Sequence, residues 1–325
     1  MNFIVNLYNH NKLGQRSLED VIGIFGNQLR ALGHEVLWFP ENANFVHKDH
    51  GINVVVEGFT EYAVDVLKQA HNLGCRFICL ATEEPTPLGF NHGRDREMVW
   101  RQKIFPQAAQ YFEGIFCLVP GEHVTRWYGQ FAPAEYIELG YADSLVRNIR
   151  VKPVFNFGFF GSISKRREKI LRRLARYIGT EKAIRICSDF PQQHERDEIM
   201  RQAKVILQIR KYDEMGLVSS SRCNTALCNG RPVIAEPHAL SKPWDEIIWF
   251  AGTMESFYDE AIMASAMWEG IYQSQMDKFK KRLPPKLCVG EPLAKIGLTM
   301  HTHHKPAFVP RAAVPNVEMA TGPKR

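Results

Sequence analysis

Two helix openings in the second half of the chain and one loop in the first carry the residues whose types and spacing could do chemistry. The stretch "FGFFGSISKRREKIL" (157–171) passes from an apolar, aromatic segment through Gly161 and Ser162 into a basic burst. Its apolar residues Ile170, Leu171, Leu174, Ala175 and Ile178 recur on one helical stripe, and Arg167, Arg172, Arg173 and Arg176 read as a solvated face. Lys165 and Arg166 fall in the first turn, where the helix end is already partly positive and cations are disfavoured. An anion docked there reverses the argument, because free backbone N–H groups and a guanidinium would both face it. Gly161 would let the backbone approach that anion without a Cβ in the way. The second opening, "SSSRCNTALCNGRPVIAEP", begins with Ser219, Ser220 and Ser221 and places Arg222 in the first turn. Serine hydroxyls and unsatisfied N–H groups again suit an anion. Two such helix starts in one α/β domain point to a diphosphate held between them.

The loop "EEPTPLGFNHG" (83–93) follows an apolar strand-like run. In parallel sheets the edge where the strands end usually faces the ligand crevice. Glu83, Glu84 or His92 could there serve as general base toward a hydroxyl, since a partly dry cleft raises a carboxylate's pKa. Asn9, His10 and Gly14, after the first strand, form a second expected cleft loop.

The elements that must position these residues alternate along the chain. "FIVNLY" reads as a strand, and "LEDVIGIFGNQLRALGH" as a helix with Ser17 as its N-cap. "EVLWF", "NVVVEG", "CRFICLAT", "GIFCLVP" and "AEYIELG" read as further strands, with helices in "TEYAVDVLKQAHNLG" and around 98–111. After residue 150 the alternation restarts with "FNFGFFG", a helix over 165–178, "AIRICS", "HERDEIMRQA", "KVILQIR", the serine-led helix and "RPVIAEP". This alternation predicts an α/β protein of two Rossmann-like parallel-sheet domains. The expected units are a first α/β domain over 1–150, a second over 151–265 and a helical segment over 266–285 that packs back toward the first domain. A basic, mostly disordered tail is expected over 286–325.

With 325 residues and 45% hydrophobic content, the chain can bury two such cores. No apolar run approaches the ~20 residues of a membrane helix, and the N-terminus lacks a signal-peptide pattern. A cytoplasmic protein is expected, at most peripheral at the inner membrane surface. Residues 276–325 hold ten Lys/Arg against three Asp/Glu, so the net charge of +6 sits in the tail and the body is neutral. That balance disfavours a nucleic-acid partner. The seven cysteines lack metal spacing and read as buried thiols. "HTHHK" (301–305) lacks a partner cluster, so no metal is expected.

In order, "FGFFGSISKRREKIL", "AKVILQIRKYD" and "SSSRCNTALCNGRPVIAE" resemble the nucleotide-sugar domain of GT-B glycosyltransferases, in particular the bacterial group-1-like branch. "ICLATEEPT", "YFEGIFCLVPG" and "YIELGY" resemble its acceptor half. The resemblance implies a GT-B fold facing a cleft. It also implies transfer of a sugar from a nucleoside diphosphate, foremost UDP, to a hydroxyl of a polysaccharide, lipid or protein glycan. No cofactor beyond that co-substrate is implied. Gly161, Ser162, Lys165, Arg166, Ser220, Ser221 and Arg222 would hold the diphosphate. Ser188, Asp189, Phe190 and Glu236 would meet the base, ribose or sugar. One departure stands out: Thr225 occupies the place of the second of two spaced glutamates, which leaves the retaining outcome open. The rival readings are an inactive nucleotide-sugar-binding or assembly protein and a DNA-base glycosyltransferase.

Overall fold

Short apolar runs alternating with amphipathic stretches build two all-parallel sheets. The computed structural model describes residues 4–8, 15–38, 45–93, 96–147, 151–180, 183–188, 193–213, 216–238 and 242–297. The first sheet comprises β1 (Ile4–Tyr8), β2 (Glu35–Trp38), β3 (Gly51–Val56), β4 (Phe77–Ala81), β5 (Phe112–Cys117) and β6 (Ala134–Tyr136), in the order β2-β1-β3-β4-β5-β6. Helices α1 (Gln15–Ala31), α2 (Glu61–Asn72), α3 (Arg96–Ala109) and α4 (Glu122–Tyr128) accompany it. Helix α1 opens two residues before the expected Ser17 cap. β3 and β4 are buried along their whole length, as strands covered on both faces must be.

The second sheet holds β7 (Phe155–Phe160), β8 (Ile184–Cys187), β9 (Ala203–Gln208), β10 (Val233–Ala235) and β11 (Trp249–Phe250), in the order β11-β10-β9-β7-β8. With it come α5 (Lys165–Ile178), α6 (Gln193–Gln202), α7 (Ser220–Cys228), α8 (Phe257–Ala266) and α9 (Trp268–Arg282). Helix α5 has the expected bounds. Ser164 caps it by accepting from Arg167 N at 3.2 Å, and left-handed Gly179 ends it. In each sheet the chain reverses direction beside its first strand, at β1/β3 and at β7/β9. Crevices open at such points, beyond the carboxyl ends of the strands.

The two sheets share one apolar core. Val21, Ile22 and Phe25 of α1 join Cys223, Ala226 and Leu227 of α7 and Met276 and Phe279 of α9. Asn224 donates to Leu139 O at 3.0 Å and Gly140 O at 2.5 Å, and Arg196 forks onto Asp20 at 2.6 and 2.7 Å. Burial lifts Asp20 to about 6 despite that guanidinium.

The closing helices run further than the sequence predicts. The π-turn Lys286–Gly290 and α10 (Glu291–Lys295) bury Cys288, Val289, Leu293 and Ile296 against the first domain. Tyr141 N donates to Leu283 O at 2.7 Å, and Lys295 reaches Glu135 at 3.4 Å. Apolar residues at helical spacing, rather than the prolines that precede them, decide this segment. The "HTHHK" stretch lies outside the described residues. All seven cysteines are buried and free. Among the described residues no helix is long and apolar enough to cross a membrane.

Candidate functional site

At the β7/β9 switch point the chain gathers arginines. Gly161 leaves β7 with φ +128°, a conformation that favours glycine. A Cβ there would lie 2.8 Å from an Arg222 terminal nitrogen and 3.7 Å from Arg167 Nη1, so both guanidiniums crowd this backbone. They flank Phe159, with Arg167 Cζ 5.2 Å and Arg222 Cζ 5.1 Å from the ring centroid. Arg222 donates to Phe160 O at 3.0 Å and to Gln208; Arg167 donates to Ile209 O at 3.0 Å and Ser162 O at 2.8 Å. Each is only 7% exposed. Among the described residues neither has a carboxylate within 4.0 Å. Burial, reinforced by Arg222's charge, pulls Arg167 down to about 9, and burial pulls Arg222 down to about 10. Both stay cationic at neutral pH. Two desolvated like charges lie side by side with no carboxylate within 4.0 Å among the described residues, an arrangement that an anion could neutralise.

The other expected phosphate ligands are placed differently. Arg166 does not join that pair: it forks onto Glu236 at 2.8 and 2.5 Å and reaches Asp213. Glu236 is fully buried and also faces Arg210 at 3.5 Å, so it is a partner of arginines rather than an open sugar ligand. Lys165 is exposed on the first turn of α5. The start of α7 already holds a carboxylate. Buried Glu138, which follows β6, takes hydrogen bonds from Tyr136 and Leu139 N and lies near Ser220 and Trp244. Burial raises its pKa, and those donors oppose the rise. Ser220 Oγ also accepts from Trp244 Nε1 at 3.1 Å, and Ser221 lies 3.4 Å from Ser219. Ser188 ends β8 beside Gly161, whose N–H donates to Cys187 O at 3.0 Å. Asn9, His10, Gly14, Asp189 and Phe190 lie outside the described residues.

Across the cleft, the loop after β4 is tightly built. Buried Phe90 pins it against Phe105, Trp127 and Tyr128. Asn91 and His92 both take left-handed backbone angles (φ 51° and 67°), a strained choice for residues with a Cβ. Asn91 fastens the fold-back: its Oδ1 accepts from Glu84 N at 3.0 Å, and its Nδ2 donates to Glu83. Glu83 also meets Arg101 at 3.4 Å and is 14% exposed, so cations and donors already hold it. Behind it, buried Glu57 accepts from Thr82 N (2.9 Å), Glu83 N (3.0 Å) and Tyr128 Oη (2.6 Å). Burial, then the charge of Glu83, lifts Glu57 to about 8 against those donors. Glu84 stands apart from this knot. Its carboxylate lies 3.7 Å from His92 Nε2 and 3.2 Å from His123 Nε2. The structure thus joins Glu84 with His92 and adds His123, which "VPGEHV" shows only as a helix-start histidine. Leu217, just ahead of α7, packs against the apolar core of the first domain that includes Phe90.

No family model matches this chain, and no curated protein matches its sequence. Among solved structures it aligns with HepE of Anabaena, solved in complex with UDP, at TM-score 0.52 and 10% identity, covering 91% of this chain and 100% of that one. A UDP-N-acetylglucosamine 2-epimerase aligns at TM-score 0.49 (10% identity, 95% and 99% covered). An α1,3-fucosyltransferase aligns at TM-score 0.46 (10% identity, 95% and 93% covered). At such identities only the likeness to HepE bears on the fold. Together with the two parallel sheets and their shared switch-point topology, it gives the chain the GT-B fold.

Proposed function

We propose that the chain is a metal-independent glycosyltransferase that moves a sugar from a nucleoside diphosphate to an acceptor hydroxyl. The observation that carries this reading is the pair Arg167 and Arg222, buried beside Gly161 with no carboxylate within 4.0 Å among the described residues. A departing diphosphate would supply the missing charge, and preorganised guanidiniums would stabilise that charge as it develops. The second sheet would hold the donor and the first the acceptor, with the base drawn from the Glu84 cluster. The UDP bound to HepE supports uridine as the first base to try. Glu236 and Arg166 would shape the donor pocket through their mutual ion pair rather than touch phosphate.

A nucleotide-binding protein without transfer is the second reading. It is favoured by Thr225, whose hydroxyl turns back to Ser221 O at 2.7 Å where a carboxylate would be needed. A thermal-shift screen with UDP, GDP, dTDP and ADP and their glucose conjugates tests both. UDP should raise the melting temperature and UDP-glucose should release UDP slowly. Binding without release on any donor supports the second reading, and no response to any nucleotide overturns both.

A further inference from the structure

One buried carboxyl lies behind the acid loop, and the hydrogen bonds around it can be counted. Glu57 directly follows β3 and is 3% exposed. Its Oε2 accepts from Thr82 N at 2.9 Å and Glu83 N at 3.0 Å, and its Oε1 lies 2.6 Å from Tyr128 Oη. The same Tyr128 oxygen lies 3.1 Å from Glu83 O. Phe90, Phe105 and Trp127 pack around the Tyr128 ring and fix it. The titratable groups facing Glu57 are Glu83 after β4, Cys79 of β4, Cys117 of β5 and Tyr128 of α4. Burial pushes both thiols up, so they stay protonated. Among the described residues no Lys, Arg or His lies within 4.0 Å of the Glu57 carboxyl.

Tyr128 has one proton and two acceptors within reach. An ionised Glu57 takes that proton, and Glu83 O receives none from the phenol. A protonated Glu57 instead donates from Oε1 to Tyr128 Oη, and Tyr128 donates onward to Glu83 O. Every contact is then filled, and Oε2 still accepts the two backbone N–H groups. A buried carboxyl with no cation beside it also favours the neutral form. We propose that Glu57 carries its proton in the working protein and, through Tyr128, is the positioning residue that clasps the Glu83 main chain and so fixes the acid loop bearing Glu84. The clasp stands on this geometry, and its bearing on transfer rests on the glycosyl-transfer reading above. Further along the loop, Asn91 and His92 keep left-handed angles, which persist only where the surroundings over-determine them. Burial, then the charge of Glu83, lifts Glu57 to about 8, so the clasp closes at neutral pH and opens as pH rises through that value.

The test uses the full chain with ¹³C-labelled glutamate, infrared spectroscopy of the carboxylic-acid C=O stretch and hydrogen exchange of the loop amides. At about pH 7 the wild type should show an acid band that fades as pH passes about 8. Glu57→Gln should abolish that band, and Tyr128→Phe, which removes the acceptor of the proton, should shift it. In Glu57→Gln the amide oxygen can accept from Thr82 and Glu83 while its NH₂ donates to Tyr128, repeating the pattern of the acid. That variant should keep the protection of the Glu83, Glu84 and Asn91 amides within about twofold and retain it at about pH 9, where the wild type loses it. Tyr128→Phe should lower that protection about 10-fold at pH 7, and UDP release from UDP-glucose should fall with it. A wild-type spectrum without a band that either variant removes or shifts overturns the proposal. So does a loss of protection in Glu57→Gln as large as in Tyr128→Phe. Failure of UDP to bind the wild type would remove the donor reading, and the band and the amides would still decide the clasp.

Discussion

The starts of α5 and α7 look alike in sequence: each follows a strand of the second sheet, carries serines and sets an arginine in its first turn. They differ in what they are given to bind. At α7 the chain sets its own carboxylate, Glu138, near Ser220 and Trp244, which bond to each other across the domain seam. At α5 it supplies Glu236 and Asp213 to Arg166, whereas Arg167 of α5 and Arg222 of α7 meet beside Gly161 on backbone oxygens and Gln208, with no carboxylate within 4.0 Å among the described residues. A helix start is therefore not a ligand site by itself. It becomes one where its charge is left uncompensated.

That contrast can be broken at three points. Glu138→Ala should have the largest effect. It orphans the donors of Tyr136 and Leu139, and should cost about 3 kcal/mol in urea unfolding. If the seam is merely solvated, the loss will be near zero. Arg222→Met should weaken UDP about 10- to 100-fold by calorimetry, the worth of a charge-assisted bond, while Ser220→Ala should leave UDP within twofold. Equal losses in both would erase the distinction between the arginine pair beside Gly161 and the Ser220 contact near Glu138. The smallest effect is a pH dependence on the other side of the cleft. Folded Glu57 holds its proton up to about pH 8, well above an ordinary carboxylate, so it favours the folded state most at low pH. Stability should fall as pH rises from about 5 through 8, by about 1 kcal/mol per unit within that window, and Glu57→Gln should flatten the slope. Asp20, raised to about 6, follows the same sign and leaves a residual slope below pH 6 in that variant.

Much of the fold is legible in the sequence because strand and helix periods are local. The bounds of α5 and the existence of both sheets follow from apolar spacing alone. Arg167 is a correction to the sequence reading: expected on the solvated face, it stands three and four residues before Ile170 and Leu171, on the buried stripe, and is 7% exposed. Glu57, Glu138 and His123 were not legible. Their roles arise from pairs 71, 82 and 39 positions apart, with Tyr128, Ser220 and Glu84, which only the folded chain brings together. The fate of Arg166 likewise depended on Glu236, 70 positions away. Short-range pattern reports which face a residue takes, and long-range partnership decides whether its charge is spent.

The apolar core that runs unbroken from α1 through α7 to α9 has a consequence for how the cleft comes to exist. Two separately folded lobes would dock and undock, and their crevice would breathe with the hinge. Here neither lobe can bury α1 or α7 without the other. The crevice is therefore inherited from one cooperative folding event, and cutting the chain near residue 150 would leave two sticky fragments rather than two domains.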